Sequence, residues 1–180
     1  MSRLMTRRSQ GHRVPRQWQM LKLSACALVL CLGLNSLSAR AQDPAARTLA
    51  GLGTLAVIVE ELPPGARLVN LSTNAIQTDA ELKLRLAGIH VVSGLEARSL
   101  PGDPYIWIQV TITDDGSAAN VNVMLRQGTK LERNGESAFG AGTWDSTILI
   151  ARPSQQGIRD TVKDILDQFL NAWLSVNPKH

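Results

Sequence analysis

The residues best suited to contact a ligand or partner gather in one short stretch. Tyr105, Trp107 and Gln109 alternate with Ile106, Ile108 and Val110 in YIWIQVTITD, residues 105–114. A period of two reads as a half-buried strand, so these three share its more polar face with Thr111 and Thr113. Trp144 falls on a second segment expected to neighbour that strand. Two tryptophans at a sheet surface could form a platform for a ligand or a protein, because an aromatic ring joins a broad apolar face to a polar edge. The competing expectation is structural: such rings also pack beneath a helix or brace one another across strands. Tyr105, Trp107, Gln109 and Trp144 are therefore the candidate partner-binding surface.

Other chemistries find little material. Beyond residue 41 the histidines are His90 and His180. His180 ends the chain. His90 abuts a short strand after a helix cap, where a structural role is expected. A zinc site needs three or four clustered N, S or O ligands, and no cysteine or histidine pair supplies them. Asp114-Asp115-Gly116 lacks the alternating donors and closing glutamate of a calcium loop and reads as a turn. Phe139-Gly140-Ala141-Gly142 neither follows a clear strand nor opens a helix with a lysine, so a bulge or twist in a hairpin is expected there, not a phosphate cradle. There is no G-x-S-x-G elbow. Carboxylates at Glu60, Glu61, Asp103, Asp114, Asp115 and Asp145 could be assembled into an acid–base pair, but their spacing selects none. No catalytic, cofactor-binding or metal-ligating residue is expected.

The elements that must hold these residues are read from hydrophobic period. Leu55–Glu60 is a β-branched run closed by Leu62-Pro63-Pro64-Gly65, and its near-continuous apolarity suits the interior of a sheet. From about Ser72 to Ala87 the pattern is helical, with Ile76, Ala80, Leu84 and Ala87 on one face. Thr78 with Glu81, or Asn74 with Gln77, could form a capping box, and Asp79–Lys83 and Glu81–Arg85 could form i,i+4 ion pairs. Gly88 is the expected left-handed cap, and Ile89–Val92 a short strand. After the strand at Tyr105 come NVNVMLRQ, with Val121, Val123 and Leu125 inward, an Asn134-Gly135 hairpin signal, and an answering strand at Thr143–Ala151. The last helix carries a stripe of Ile158, Val162, Ile165, Leu166, Phe169 and Trp173, with Ser154 as N-cap and Asn177-Pro178 as stop. The expected fold is α+β: about five strands in a mainly antiparallel sheet, two helices on one face, in the order β-α-β-β-β-β-α.

The charge balance divides the chain. The full 180 residues carry 19 Lys plus Arg against 15 Asp plus Glu, a net +4 that invites nucleic acid as a partner. Seven of the basic residues and none of the acids lie within the first 41. The remaining 139 residues hold twelve basic and 15 acidic groups, a formal net charge of −3, which removes that argument. Leu23–Leu34 is a 12-residue apolar run, right for a signal-peptide core and short of the ~20 residues that span a bilayer. Ala39-x-Ala41 supplies a cleavage motif before Gln42. Residues 1–41 are expected to be a cleaved signal, with Met20 as an alternative start. Residues 42–53 are read as a flexible lead-in, 54–177 as one domain and 178–180 as a tail. Both cysteines, Cys26 and Cys31, fall in the leader, so no disulfide or thiol nucleophile is expected after cleavage. Leu23-Ser24-Ala25-Cys26 has the letters of a lipobox, but its apolar run follows the cysteine. Arg7-Arg8 lies too far from the apolar run for a twin-arginine signal.

Thr78–Ile89 (TDAELKLRLAGI) and Phe169–Leu174 (FLNAWL) resemble a group of small exported bacterial proteins of unknown function, over most of the segment beyond residue 41. In element order the chain is similar to the amino-terminal domain of TolB and to auxiliary lipoproteins of envelope transporters, although no cysteine stands in lipobox position. The resemblance implies an exported domain and assigns no catalytic residue. The expected function is a non-catalytic periplasmic or secreted binding or accessory module of the cell envelope, needing no cofactor, with a protein partner and no nucleic acid. Two alternatives stand beside it. One is a hydrolase using carboxylates near Asp103, Asp114 and Asp145. The other is a structural protein that self-assembles through a strand edge at Leu55–Glu60 or Thr143–Ala151.

Overall fold

A computed structural model describes residues 44–178. The expectations about the leader and about His180 fall outside these residues. A short helix α1 (Pro44–Arg47) leads to strand β1 (Thr54–Val59), a 3-10 segment at Pro64–Val69, helix α2 (Thr73–Ala87) and strand β2 (His90–Val92). Then follow a one-turn helix α3 (Gly94–Ala97), strands β3 (Tyr105–Ile112), β4 (Ala118–Lys130) and β5 (Ser137–Ala151), and helix α4 (Gln155–Val176). The fold is α+β, with the expected order of major elements.

The five strands form one sheet in the order β2-β1-β3-β4-β5. β1 is parallel to both β2 and β3, through three and four residue pairs. The antiparallel ladders β3–β4 and β4–β5 are longer, at eight and twelve pairs, and dominate the sheet. Each parallel pairing needs a crossover. Right-handed crossovers that step first to one side of β1 and then to the other must pass over opposite faces. α2 makes the first, and the segment bearing α3 makes the second. α3 accordingly lies against the outward side of β1, with Gly94 facing Ile58.

The inner face is a continuous apolar layer. Ile106, Ile108, Val110 and Ile112 of β3 alternate inward, as do Val121, Val123 and Leu125 of β4, against Ile158, Val162, Ile165 and Phe169 of α4 and Ile76, Ala80 and Leu84 of α2. Burying such side chains is worth ~1.5–3 kcal/mol each, which is why the period-two and period-3.6 patterns meet on this side.

Helix ends follow local chemistry with one exception. Ser154 Oγ accepts from Gly157 N at 3.0 Å, and Gly88 takes φ 100° as the cap of α2. Neither capping box expected for α2 forms. The helix starts at Thr73, behind Ser72 in extended conformation, which leaves Asn74 and Thr78 inside it. The capping box appears instead on α3. There Ser93 Oγ accepts from Glu96 N, and Glu96 Oε2 accepts from Ser93 N at 2.8 Å.

Of the two expected ion pairs within α2, Glu81–Arg85 forms at 2.8 Å. Asp79 does not pair with Lys83. It takes two hydrogen bonds from Arg159 of α4, at 2.8 and 3.0 Å, while Lys83 reaches Asp167 of α4 at 2.7 Å. A forked guanidinium offers a carboxylate two parallel bonds, which a lysine one turn away on the same helix cannot match. These contacts pull Asp79 below its ordinary carboxylate value, first through the Arg159 bonds.

Residues 44–53, expected as a flexible lead-in, are packed. Leu49 and Leu52 are buried in the core. The Trp173 indole N–H donates to the Leu52 carbonyl at 2.6 Å. Asn177 donates to the Leu49 carbonyl and accepts from Gly51 N at 2.7 Å. The two leucines of this stretch belong to the same core cluster as Phe169 and Trp173 of α4.

Candidate binding face

The outward side of β3, β4 and β5 is the mirror image of the core. Tyr105, Trp107 and Gln109 lie together on it, half-buried, as their alternation predicts, with Thr111 exposed beyond them. β4 contributes Asn120, Asn122, Met124 and Arg126, opposite Thr111, Gln109, Trp107 and Tyr105 respectively. β5 adds Asp145, Thr147 and Leu149, opposite Met124, Asn122 and Asn120. Among the described residues no helix covers this side beyond α3 at β1.

Trp107 and Arg126 form its centre. The guanidinium carbon stands 4.1 Å from the indole centroid, a cation–π stack on the diagonal between neighbouring strands. Arg126 Nε is nonetheless buried without a hydrogen-bond partner, and so is Asn122 Oδ1 four residues earlier on the same face. A donor and an acceptor left open on one face cost free energy until a partner or water meets them. Arg126 is missing from the expected surface, although the alternation along β4 includes it. Its even position on a strand whose odd positions turn inward is the signal that identifies it.

Trp144 does not belong to this face. It is 7% exposed and lies on the core side, its ring 5.2 Å from Phe169 in an edge-on arrangement. The cause is register: Trp144 pairs with Leu125, which points inward. Phe139–Gly142 lies inside β5, where two register shifts set two extra residues into the strand and Gly140 takes φ 64°, so the segment is bulged.

The three carboxylates named for hydrolysis are not brought together. Asp103 precedes β3 and Asp114 follows it, so eight strand residues, ~26 Å of chain, separate them. Asp145 projects from β5, two strands away. Asp115 serves its turn: its carboxylate accepts from Thr113 Oγ1 at 2.6 Å and Ser117 N at 3.0 Å, which lowers its pKa to about 2. His90 is exposed on β2, with its backbone N–H donating to the Gly53 carbonyl at 2.9 Å. Among the described residues no group of three or more His, Cys, Asp or Glu is placed to hold a metal ion. No described helix is long and apolar enough to cross a membrane.

The described residues thus form a single-sheet α+β domain with one face filled and one face that none of its longer helices covers. No family model and no curated protein matches the sequence. Among solved structures it is similar to the PelC dodecamer from Paraburkholderia phytofirmans. Identity is 21% over 67% of this chain and 87% of that one, with a TM-score of 0.39. A methionine-substituted variant of the same dodecamer gives 20% identity, 68% and 88% coverage, and a TM-score of 0.40. Similarity this low carries no inference about this chain.

Proposed function

We propose that this chain is a non-catalytic binding or accessory module of the bacterial cell envelope. It works in the periplasm after loss of its leader and engages a protein partner through the outward face of β3–β5. One observation supports this reading above others: Trp107 and Arg126 stack on an uncovered sheet face beside unmet hydrogen-bonding groups on Asn122 and Arg126. Large aromatics and arginines dominate binding energy where proteins meet. The test is capture from periplasmic extract with the purified protein and with W107A/R126A. The expected result is a protein retained by the first and lost by the second. Recovery of none, with clean monomer behaviour in sizing, overturns the reading.

A second reading, self-assembly through a strand edge, has its own support. Leu55–Glu60 cannot serve, because β1 lies inside the sheet between β2 and β3. β5 is an edge strand of 15 residues, and its stretch Ser146–Ala151 carries no charge and no proline, with Leu149 75% exposed. Edges of this kind invite pairing, and natural proteins usually guard them with charges or bulges. Light scattering over a concentration series separates the readings. Growth in mass that T147K abolishes favours assembly, and a constant monomer mass removes it.

A further inference from the structure

The second crossover leaves a cavity on the outward side, where α3 rides over β1. It has a volume of about 320 Å³, at the small end of ligand sites. Its base is Ala56 and Ile58 of β1, and one wall is Leu95, which is 79% exposed. Two charged side chains line it, Arg98 and Asp103, and Tyr105 lines it too, with its hydroxyl turned toward Gly140 of β5. Arg98 and Asp103 make no ion pair or side-chain hydrogen bond among the described residues.

Both walls are fixed in advance. The reciprocal Ser93–Glu96 bonds lock the turn that carries Leu95 and Arg98. On the other side, Leu100–Asp103 closes a turn in which Asp103 N donates to the Leu100 carbonyl at 3.0 Å. Gly102 is pressed against Gly128 of β4, so close that a Cβ on Gly128 would meet Gly102 Cα at 3.2 Å. Asp103 itself is held at φ 44°, a left-handed conformation that a side-chain-bearing residue adopts at some cost.

We propose that this cavity binds a small apolar α-amino acid as its zwitterion. The carboxylate pairs with Arg98, the ammonium with Asp103, and the side chain covers Leu95 and Ile58. A cation and an anion that line one cavity, each without a charged partner among the described residues, match a ligand that carries both charges on one carbon. The apolar base matches an aliphatic side chain. This site goes beyond the partner face proposed above and shares only Tyr105 with it.

Titration calorimetry of the purified protein tests the idea with three probes: L-leucine, 4-methylpentanoate, which lacks the ammonium, and 3-methylbutylamine, which lacks the carboxylate. The expected result is saturable binding of leucine with a Kd of about 1 mM or tighter, and each analogue weaker by about tenfold or more. R98Q should then bind leucine no better than the amine, and D103N no better than the acid. A merely structural role for either residue would not move these preferences separately. Absence of saturable heat from leucine overturns the proposal. So does equal binding of all three probes, or variants that keep the wild-type order. D164N, on the exposed side of α4 across the sheet from the cavity, serves as a control that should leave leucine binding intact.

Discussion

The two faces of the sheet are built from the same strands and obey opposite rules. Inward, β3 presents four aliphatic side chains that are all buried, and α2 and α4 close over them. Outward, the same eight residues present a tyrosine, a tryptophan, a glutamine and a threonine, half-open to water. Two tryptophans mark the contrast. Trp144 meets Phe169 in the core, whereas Trp107 meets an arginine on the surface. Side-chain type alone does not separate them. The parity of their positions does.

The comparison can be broken most forcefully at Trp144. W144A should lose ~3–5 kcal/mol in urea unfolding, as large-to-small changes in closed cores do. A loss under ~1 kcal/mol would mean that α4 does not seal the inner face. Next comes the clasp between the two helices. D79A leaves Arg159 and Lys163 without their carboxylate and should cost ~1–2 kcal/mol, discounted because both partners are partly exposed.

The same residue gives a pH signature. The Asp79 pKa is lowered on folding, so its contribution is complete above the unfolded value near 3.8 and fades as pH falls through the lower folded value. D79N should flatten that acid limb of the stability curve, and an unchanged limb would place the titrating group elsewhere. A smaller effect is expected at the start of α4, where S154A removes the bond to Gly157 N and should cost ~1 kcal/mol. Smallest is W107A on the open face, expected to cost less than ~1 kcal/mol in the same urea experiment. A loss matching that of W144A would show the outward side to be core as well.

Much of this arrangement was legible in the sequence, and what escaped has physical reasons. The inward sets of β3 and β4 and the stripe of α4 follow from local periodicity. Trp144 was legible too. Counting from Asn134-Gly135 as a two-residue turn sets Leu125 opposite Trp144. Two extra residues in β5 offset the longer loop actually used, so the observed pairing is the same. The capping box Ser93-x-x-Glu96 was equally open to reading. Partnerships across long stretches of chain were not. Asp79 finds Arg159 eighty residues away, and no local spacing distinguishes that outcome from a bond to Lys83. The cavity at Arg98 and Asp103 exists only because the second crossover passes over the outer side of β1. That depends on strand order, which short-range patterns do not encode.

The clasp between Leu49–Leu52 and Trp173–Asn177 has a consequence for how the chain can be rewired. The first and last described segments meet at one corner, held by hydrogen bonds from Trp173 and Asn177. The Leu131–Glu136 turn, by contrast, stands exposed at the end of a long hairpin. Joining the chain across the corner with a short linker and opening it at Asn134-Gly135 would give a permuted protein with every strand pairing retained. Such a molecule would carry its new ends at the hairpin tip, the natural point from which to hang a reporter or a surface tether.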